Sequence, residues 1–301
     1  MSELSLIRKF RVSAPTHPYV IVGPGQDCAV LRWPGKRDLA IKIDQIVEGT
    51  HFLLKGREAA SPKQIGWKAM AKACSDIAAT GFWPVAATVA VNLPRGSGDA
   101  LAKELHKGIV ACCARYNFAL AGGDISVSKQ GLSLVVSLLG EGPKNGAWLR
   151  RGAKPGDELF VTGTLGGSRG GKHLVFEPRL DEARAIRKLV PRGVHACIDI
   201  TDGLSRDLFH ICEESRCGAE IFSERIPLSR GADVENALAD GEDFELLLAV
   251  SPAAAKTVKA RWKHKTRLTH IGRILPDRAG CRMNTNGTIR ALRNVGYEHR
   301  T

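Results

Sequence analysis

Short apolar runs of strand length alternate with longer helix-like segments along this chain. That alternation restricts it to a mixed α/β fold in which helices cover sheets. DLAIKIDQIVEG, residues 38–49, reads as a strand that runs out at Asp44. Ser61-Pro62 then has the chemistry of an N-cap followed by proline at the first helical position. IGWKAMAKACSDIAA carries that helix to a stop near Thr80-Gly81. VAATVAVNL predicts a strand, ALAKELHKGIVACCARYN a helix and LSLVVSLLGEG a strand bounded by glycines. GPKNGAWLRRGAKPGD is rich in Gly, Pro and charge and predicts a boundary, after which ELFVTG, HACIDI, FELLLAV and THIGRI are strands of a second α/β unit. Two domains follow, residues 1–147 and 148–301, each near the ~150 residues that can bury a core.

Composition narrows the function classes. With 44% apolar and 25% charged residues, intrinsic disorder is excluded. No apolar run approaches the roughly 18 residues that span a bilayer. Residues 1–10 carry mixed charge and no apolar stretch, so no signal peptide is expected and a soluble, cytoplasmic protein is. The 8 cysteines contain no C-x-x-C pair and no His at zinc-finger spacing, and they read as buried, reduced thiols. The net charge is +13 but unevenly spread: residues 201–250 hold 4 basic and 12 acidic side chains, residues 251–301 hold 12 and 2. RWKHKTR, residues 261–267, could be a nucleic-acid patch, yet no aromatic-rich RNA motif accompanies it, and a solvated link between helix and strand is the better reading. A basic surface still attracts small polyanions such as nucleotides.

Several carboxylates stand where carboxylates are costly. Asp76 lies near the C-terminal end of an Ala-rich helix, against the helix dipole and among small apolar neighbours. Asp27 follows the glycines of GPGQDCAV, Asp44 ends an apolar strand, and Asp124 sits in the Gly turn of LAGGDIS. Asp199 and Asp202 bracket IDITDG at another strand end. Spread-out carboxylates of this kind suit Mg²⁺, which takes a few protein oxygens plus phosphate oxygens. Ordinary turn aspartates are the competing reading, and spacing does not choose between them. GGSRGGK, residues 166–172, fits G-x-x-x-x-G-K, but His173 replaces the Ser/Thr that a P-loop needs. A phosphate-cradling glycine loop of another type remains open.

The ordered series GPGQDCAVL, IKIDQIVEGTHF, IGWKAMAKACSDIAATGFWP, AGGDIS, RRGAKPGDELFVTG, IDITDGLSRDL and GEDFELLL resembles the thiamine-monophosphate kinases, in the superfamily that includes aminoimidazole ribonucleotide synthetase. The resemblance runs from Gly23 to about Tyr297. It implies a two-domain architecture like that synthetase, with an N-terminal domain that dimerises and binds ATP and a C-terminal α/β domain that closes over the nucleotide. The implied reaction moves the γ-phosphoryl group of ATP onto thiamine monophosphate. Carried over by motif, Asp27, Asp44, Asp76, Asp124, Asp199 and Asp202 match magnesium ligands. Gly123, Asp124 and Arg150 match ATP contacts, with Thr201 where a Ser is usual, and His51, Glu242 and Tyr297 match residues that meet the thiamine substrate. A homodimer, with no membrane or nucleic-acid partner, is implied as well.

The chain also departs from that pattern. Gln26 replaces the first of two aspartates, Lys42 and Ile43 replace a Ser/Thr-Thr pair, and Ile125 alters the GGDT pattern. A lysine beside Asp44 either offsets its charge or meets a phosphate itself. Within the superfamily, neither the reactive Cys expected near the start of selenophosphate synthetases nor the C-terminal Cys of hydrogenase-maturation members is present. The alternatives are a divergent kinase for another phosphorylated small molecule, or a nucleotide-binding protein that has lost catalysis.

Overall fold

The computed structural model describes residues 17–297; residues 1–10, read above for a leader, and the last four residues of GYEHRT lie outside the described residues. Two sheets organise it. The first runs β1-β2-β3-β6-β4-β5, from β1 (Val20–Val22), β2 (Ala29–Arg32), β3 (Arg37–Val47), β4 (Trp83–Pro94), β5 (Ala119–Ser128) and β6 (Ser133–Pro143). Pairing is antiparallel except for β4 and β5, which are parallel and joined by the crossover helix α2 (Gly98–Tyr116). The helix α1 (Pro62–Ala79) lies on the same face of the sheet.

The second sheet runs β13-β12-β9-β11-β7-β10-β8, built from β7 (Glu158–Thr162), β8 (Val194–Asp199), β9 (Cys217–Phe222), β10 (Leu246–Val250), β11 (Leu268–Pro276), β12 (Cys281–Thr285) and β13 (Thr288–Ala291). Its helices are α3 (Lys172–Val175), α4 (Leu180–Leu189), α5 (Leu204–Ser215), α6 (Val234–Ala239) and α7 (Pro252–Arg261). RWKHKTR joins α7 to β11, as expected of a solvated link.

The element that ties the molecule together is α1. Ser61 accepts from Gln64 N and Gln64 reaches back to Ser61 N, a capping box that starts the helix where the Ser-Pro dipeptide predicted. Ile65, Met70, Cys74 and Ile77 are fully buried, each large aliphatic worth roughly 1.5–3 kcal/mol of transfer free energy. The helix is buried nearly all round because the first sheet and α2 cover one side while α3, α4 and β8 cover the other. Its crossing with α2 is close: a Cβ on Gly108 would collide with the carbonyl of Lys63, and one on Gly66 with that of Leu105. One core cluster therefore runs from Val22 through α1 to Phe176, Ile186 and Leu248, while a second lies on the other face of the second sheet around Leu208, Ile221 and Ile271. Seven of the eight cysteines are buried, and none is in a disulfide.

Two expectations need correction. Asp44 does not end its strand, because β3 continues to Val47, held along its length by β6. Asp124 is not in a turn: AGGDIS is the middle of β5, an edge strand whose glycines are tolerated because one side pairs with β4.

Candidate active site

A cleft of about 580 Å³ opens between the two sheets. Its lining includes Asp44, Asp76, Arg150, Asp199, Thr201 and Asp202 together with His51, Glu242 and Tyr297. Alternation along β3 turns Asp38, Ala40, Lys42, Asp44 and Ile46 toward α1, so Asp44 faces the helix that carries Asp76. At the base, carboxylate oxygens of Asp27, Asp76 and Asp199 lie within 4.8 Å of one another, all three side chains buried. Asp199 ends β8, and its Oδ2 is buried without a hydrogen-bond partner, as is Asp44 Oδ2. Buried unpartnered carboxylate oxygens cost free energy unless a cation meets them. The donor set of hard oxygens suits Mg²⁺.

Electrostatics follow from this crowding. Burial pushes the Asp76 carboxyl well above its usual range, and neighbouring Asp44, Asp199 and Asp27 add to it; Lys42 opposes the rise. Burial, then Asp27, pushes Asp199 up to about 6. Burial also acts on Asp44, but the ammonium groups of Lys42 and Lys72 outweigh it and hold that carboxyl low. Lys42 Nζ donates to Asp76 Oδ1 at 2.6 Å and lies 3.7 Å from Asp44 Oδ1. Arg150 donates to Asp27 Oδ1 from Nε at 2.8 Å and from a terminal nitrogen at 2.5 Å, and its backbone N–H donates to Gln26 Oε1. Although burial disfavours its charge, Asp27 and then Asp207 raise the Arg150 pKa.

Beside Thr201 the cleft rests on a strained turn. Glu242 and Phe244 both have left-handed φ, 51° and 52°, held by Glu242 N donating to Thr201 O and Phe244 N to Ile200 O. Phe244 stacks on Phe176 with ring centroids 3.9 Å apart. Lys68, fully buried in α1, meets Glu242 Oε1 at 2.7 Å, donates to the His51 carbonyl at 2.6 Å and lies 2.6 Å from His173 Nδ1. Burial works against ionisation of Glu242, yet His173 and Lys68 pull its pKa down to about 2.

Most residues expected from the sequence therefore converge, but not all. Asp44, Val136, Val89 and Gly123 form one row across the sheet, so Gly123 is three strand spacings, about 14 Å, from Asp44. Asp124, one residue on, points to the opposite face with Ala90 and Val135. Both lie outside the cleft. Asp202 meets Asp207 and His210 within 4.8 Å, and Asp207 also accepts the N–H groups of Thr201 and Asp202. In the glycine loop the N–H groups of Gly166 and Gly167 donate to Asp243 and those of Gly170 and Gly171 donate within the loop, while Ser168 lines the cleft. Lys172 turns inward to Thr164 O and Glu245.

Lys68, Lys72, His173 and Asp207 were not among the expected site residues. Lys68, Lys72 and Asp76 recur at i, i+4 and i+8, a polar stripe on an otherwise apolar helix that was the available signal. Nothing in the sequence marked His173 except its place after the glycine loop.

Comparison with known proteins places the chain in a family. Residues 25–142 match the family described as AIR synthase related protein, N-terminal domain, and residues 154–282 match its C-terminal domain. The chain is 39% identical to the thiamine-monophosphate kinase of Rhodopirellula baltica, over 91% of this chain and 89% of that one. It is 33% identical to that of Escherichia coli K12, over 99% and 98%. A solved structure of AaThiL complexed with AMPPCP and TMP superposes with a TM-score of 0.83 at 28% identity, covering 99% of this chain and 97% of that one. E. coli HypE, a hydrogenase maturation protein, shares the fold at 22% identity with a TM-score of 0.70, covering 98% and 99%.

Proposed function

The chain belongs to the thiamine-monophosphate kinase family within the AIR synthase related proteins, and from that premise we propose that it transfers the γ-phosphoryl group of ATP to thiamine monophosphate, forming thiamine diphosphate. The observation that carries this reading is the meeting of Asp27, Asp76 and Asp199 beneath a cleft rimmed by Arg150, His51 and Glu242. Phosphoryl transfer between two polyanions needs alignment and neutralised charge more than a covalent nucleophile. When bound, Mg²⁺ supplies that neutralisation, and Asp27, Asp44, Asp76, Asp199 and Asp202 are the residues assigned to hold it. Arg150, kept cationic beside Asp27, and Thr201 take the nucleotide side. Glu242, ionised at neutral pH, and His51 and Tyr297 take the acceptor side, where a carboxylate suits the cationic thiazolium ring.

The proposal extends to organisation. Residues 1–147 form the ATP-binding and dimerising unit and residues 148–301 the unit that closes over the nucleotide. A homodimer through the first sheet is supported by the face opposite α1, where Ile41 and Ile43 (67% exposed) stand open, and by the uncovered edge of β5. Gly123 and Asp124 would then serve a site completed by the second copy. Among the described residues no helix is long and apolar enough to cross a membrane, and eight unpaired thiols suit the cytoplasm.

The test is thiamine diphosphate formation from purified protein, ATP and thiamine monophosphate, with and without Mg²⁺. Magnesium-dependent product is expected. A folded protein that binds Mg-ATP yet makes no product would sink the assignment and point to another acceptor or to lost catalysis.

A further inference from the structure

The departure at residue 42 has a geometric meaning. Lys42 and Asp44 are two apart on β3 and face α1 together. The ammonium of Lys42 lies between two carboxylates, 2.6 Å from Asp76 Oδ1 and 3.7 Å from Asp44 Oδ1. Lys72, one helical turn before Asp76, places its own ammonium 3.5 Å from the same Asp44 oxygen. A Mg²⁺ or Mn²⁺ shared by those two carboxylates would compete with the Lys42 ammonium, which already lies within 4 Å of both oxygens. Two ammonium groups stand against these two carboxylates, so the local field that would draw a divalent ion between Asp44 and Asp76 is weakened. Asp44 Oδ2 and Asp199 Oδ2 are both buried without a hydrogen-bond partner, but Asp44 has two ammonium groups within 4 Å, whereas among the described residues Asp199, in the Asp27–Asp76–Asp199 group, forms no ion pair.

We propose that the Lys42 ammonium takes the place of one divalent ion at the Asp44–Asp76 pair, so that this chain loads one metal ion fewer than it would with a hydroxyl residue at position 42. The inference rests on the metal-assisted kinase reading above. A tethered cation is in place before nucleotide arrives and does not exchange with solvent, so it holds Asp44 and Asp76 in position at any metal concentration.

The experiment counts Mn²⁺ bound per chain in full-length protein saturated with AMPPCP, from the free Mn²⁺ signal in electron paramagnetic resonance. Wild type is compared with Lys42→Thr and Lys42→Met. Each variant is expected to bind one more Mn²⁺ per chain than wild type. Equal, non-zero counts overturn the inference and leave the kinase reading intact; this is also the result if Lys42 instead contacts a phosphate. No Mn²⁺ bound by any of the three overturns both. Crystals of wild type with Mn²⁺ and AMPPCP decide the matter if the variants do not fold. An anomalous peak bridging Asp44 and Asp76 refutes the substitution, and its absence alongside a peak at Asp27, Asp76 and Asp199 supports it.

Discussion

Glu242 shows how much one side chain is asked to do. It is the counter-ion of a fully buried lysine, the partner of His173 and, in the proposed reaction, a contact for the acceptor. Because its folded pKa of about 2 lies below the ordinary 4.5, its ionisation stabilises the fold above about pH 4.5, and that stability is lost as pH falls through 2. Allowing for partial exposure, the contribution is about 2–3 kcal/mol. Glu242→Gln should lower the guanidinium unfolding free energy by that amount at pH 7, and the gap to wild type should shrink as pH falls toward 3. A constant gap would mean that the pair with Lys68 does not set the pKa. The same variant should raise the KM for thiamine monophosphate at least tenfold with little change in that for ATP, by initial-rate kinetics; equal loss of both would contradict the acceptor role. At this scale the sequence marked Asp76 by its small apolar neighbours, Asp27 by the glycines before it and Asp199 by its strand end, and these three meet in the fold. It marked Lys68 only as part of a polar stripe and was silent on its burial, since a helical lysine ordinarily reaches water and only three-dimensional packing reveals that this one does not.

Among the elements, α1 was legible from end to end because both its ends carry local signals: Ser61, Pro62 and Gln64 at one, Thr80-Gly81 at the other. β5 was not, since two adjacent glycines and an aspartate read as a turn, and only pairing with β4 makes them a strand. The close crossing of α1 and α2 was equally hidden, because helix-to-helix proximity leaves no periodic trace. It makes a sharp prediction. Gly108→Ala pushes a methyl into the Lys63 backbone, which no side-chain rotation relieves, and should cost about 3 kcal/mol or more. Ser61→Ala removes one cap and should cost only about 1 kcal/mol. Urea unfolding of both variants would check the order, and a reversal would mean the helices do not meet at Gly108.

For the whole molecule, alternation of elements was enough to foretell a mixed α/β chain with two sheets, but not that one core runs through both. The apolar side chains that cover α1 from beyond residue 147 are about a hundred positions away in sequence. The proposed dimer belongs to this scale. Ile43→Asp puts a charge on the open face of the first sheet without touching either core, and it should shift the protein from dimer to monomer in sedimentation velocity. A variant that stays dimeric would move the interface elsewhere. The shared helix has a consequence for descent as well as for stability. If the gene were split at the linker, the first product would carry α1 with one flank bare, and the second would present an apolar surface shaped for a helix it no longer encodes. The halves can be inherited apart only if they are always made together, so recombination that pairs either with a stranger must also replace what covers α1.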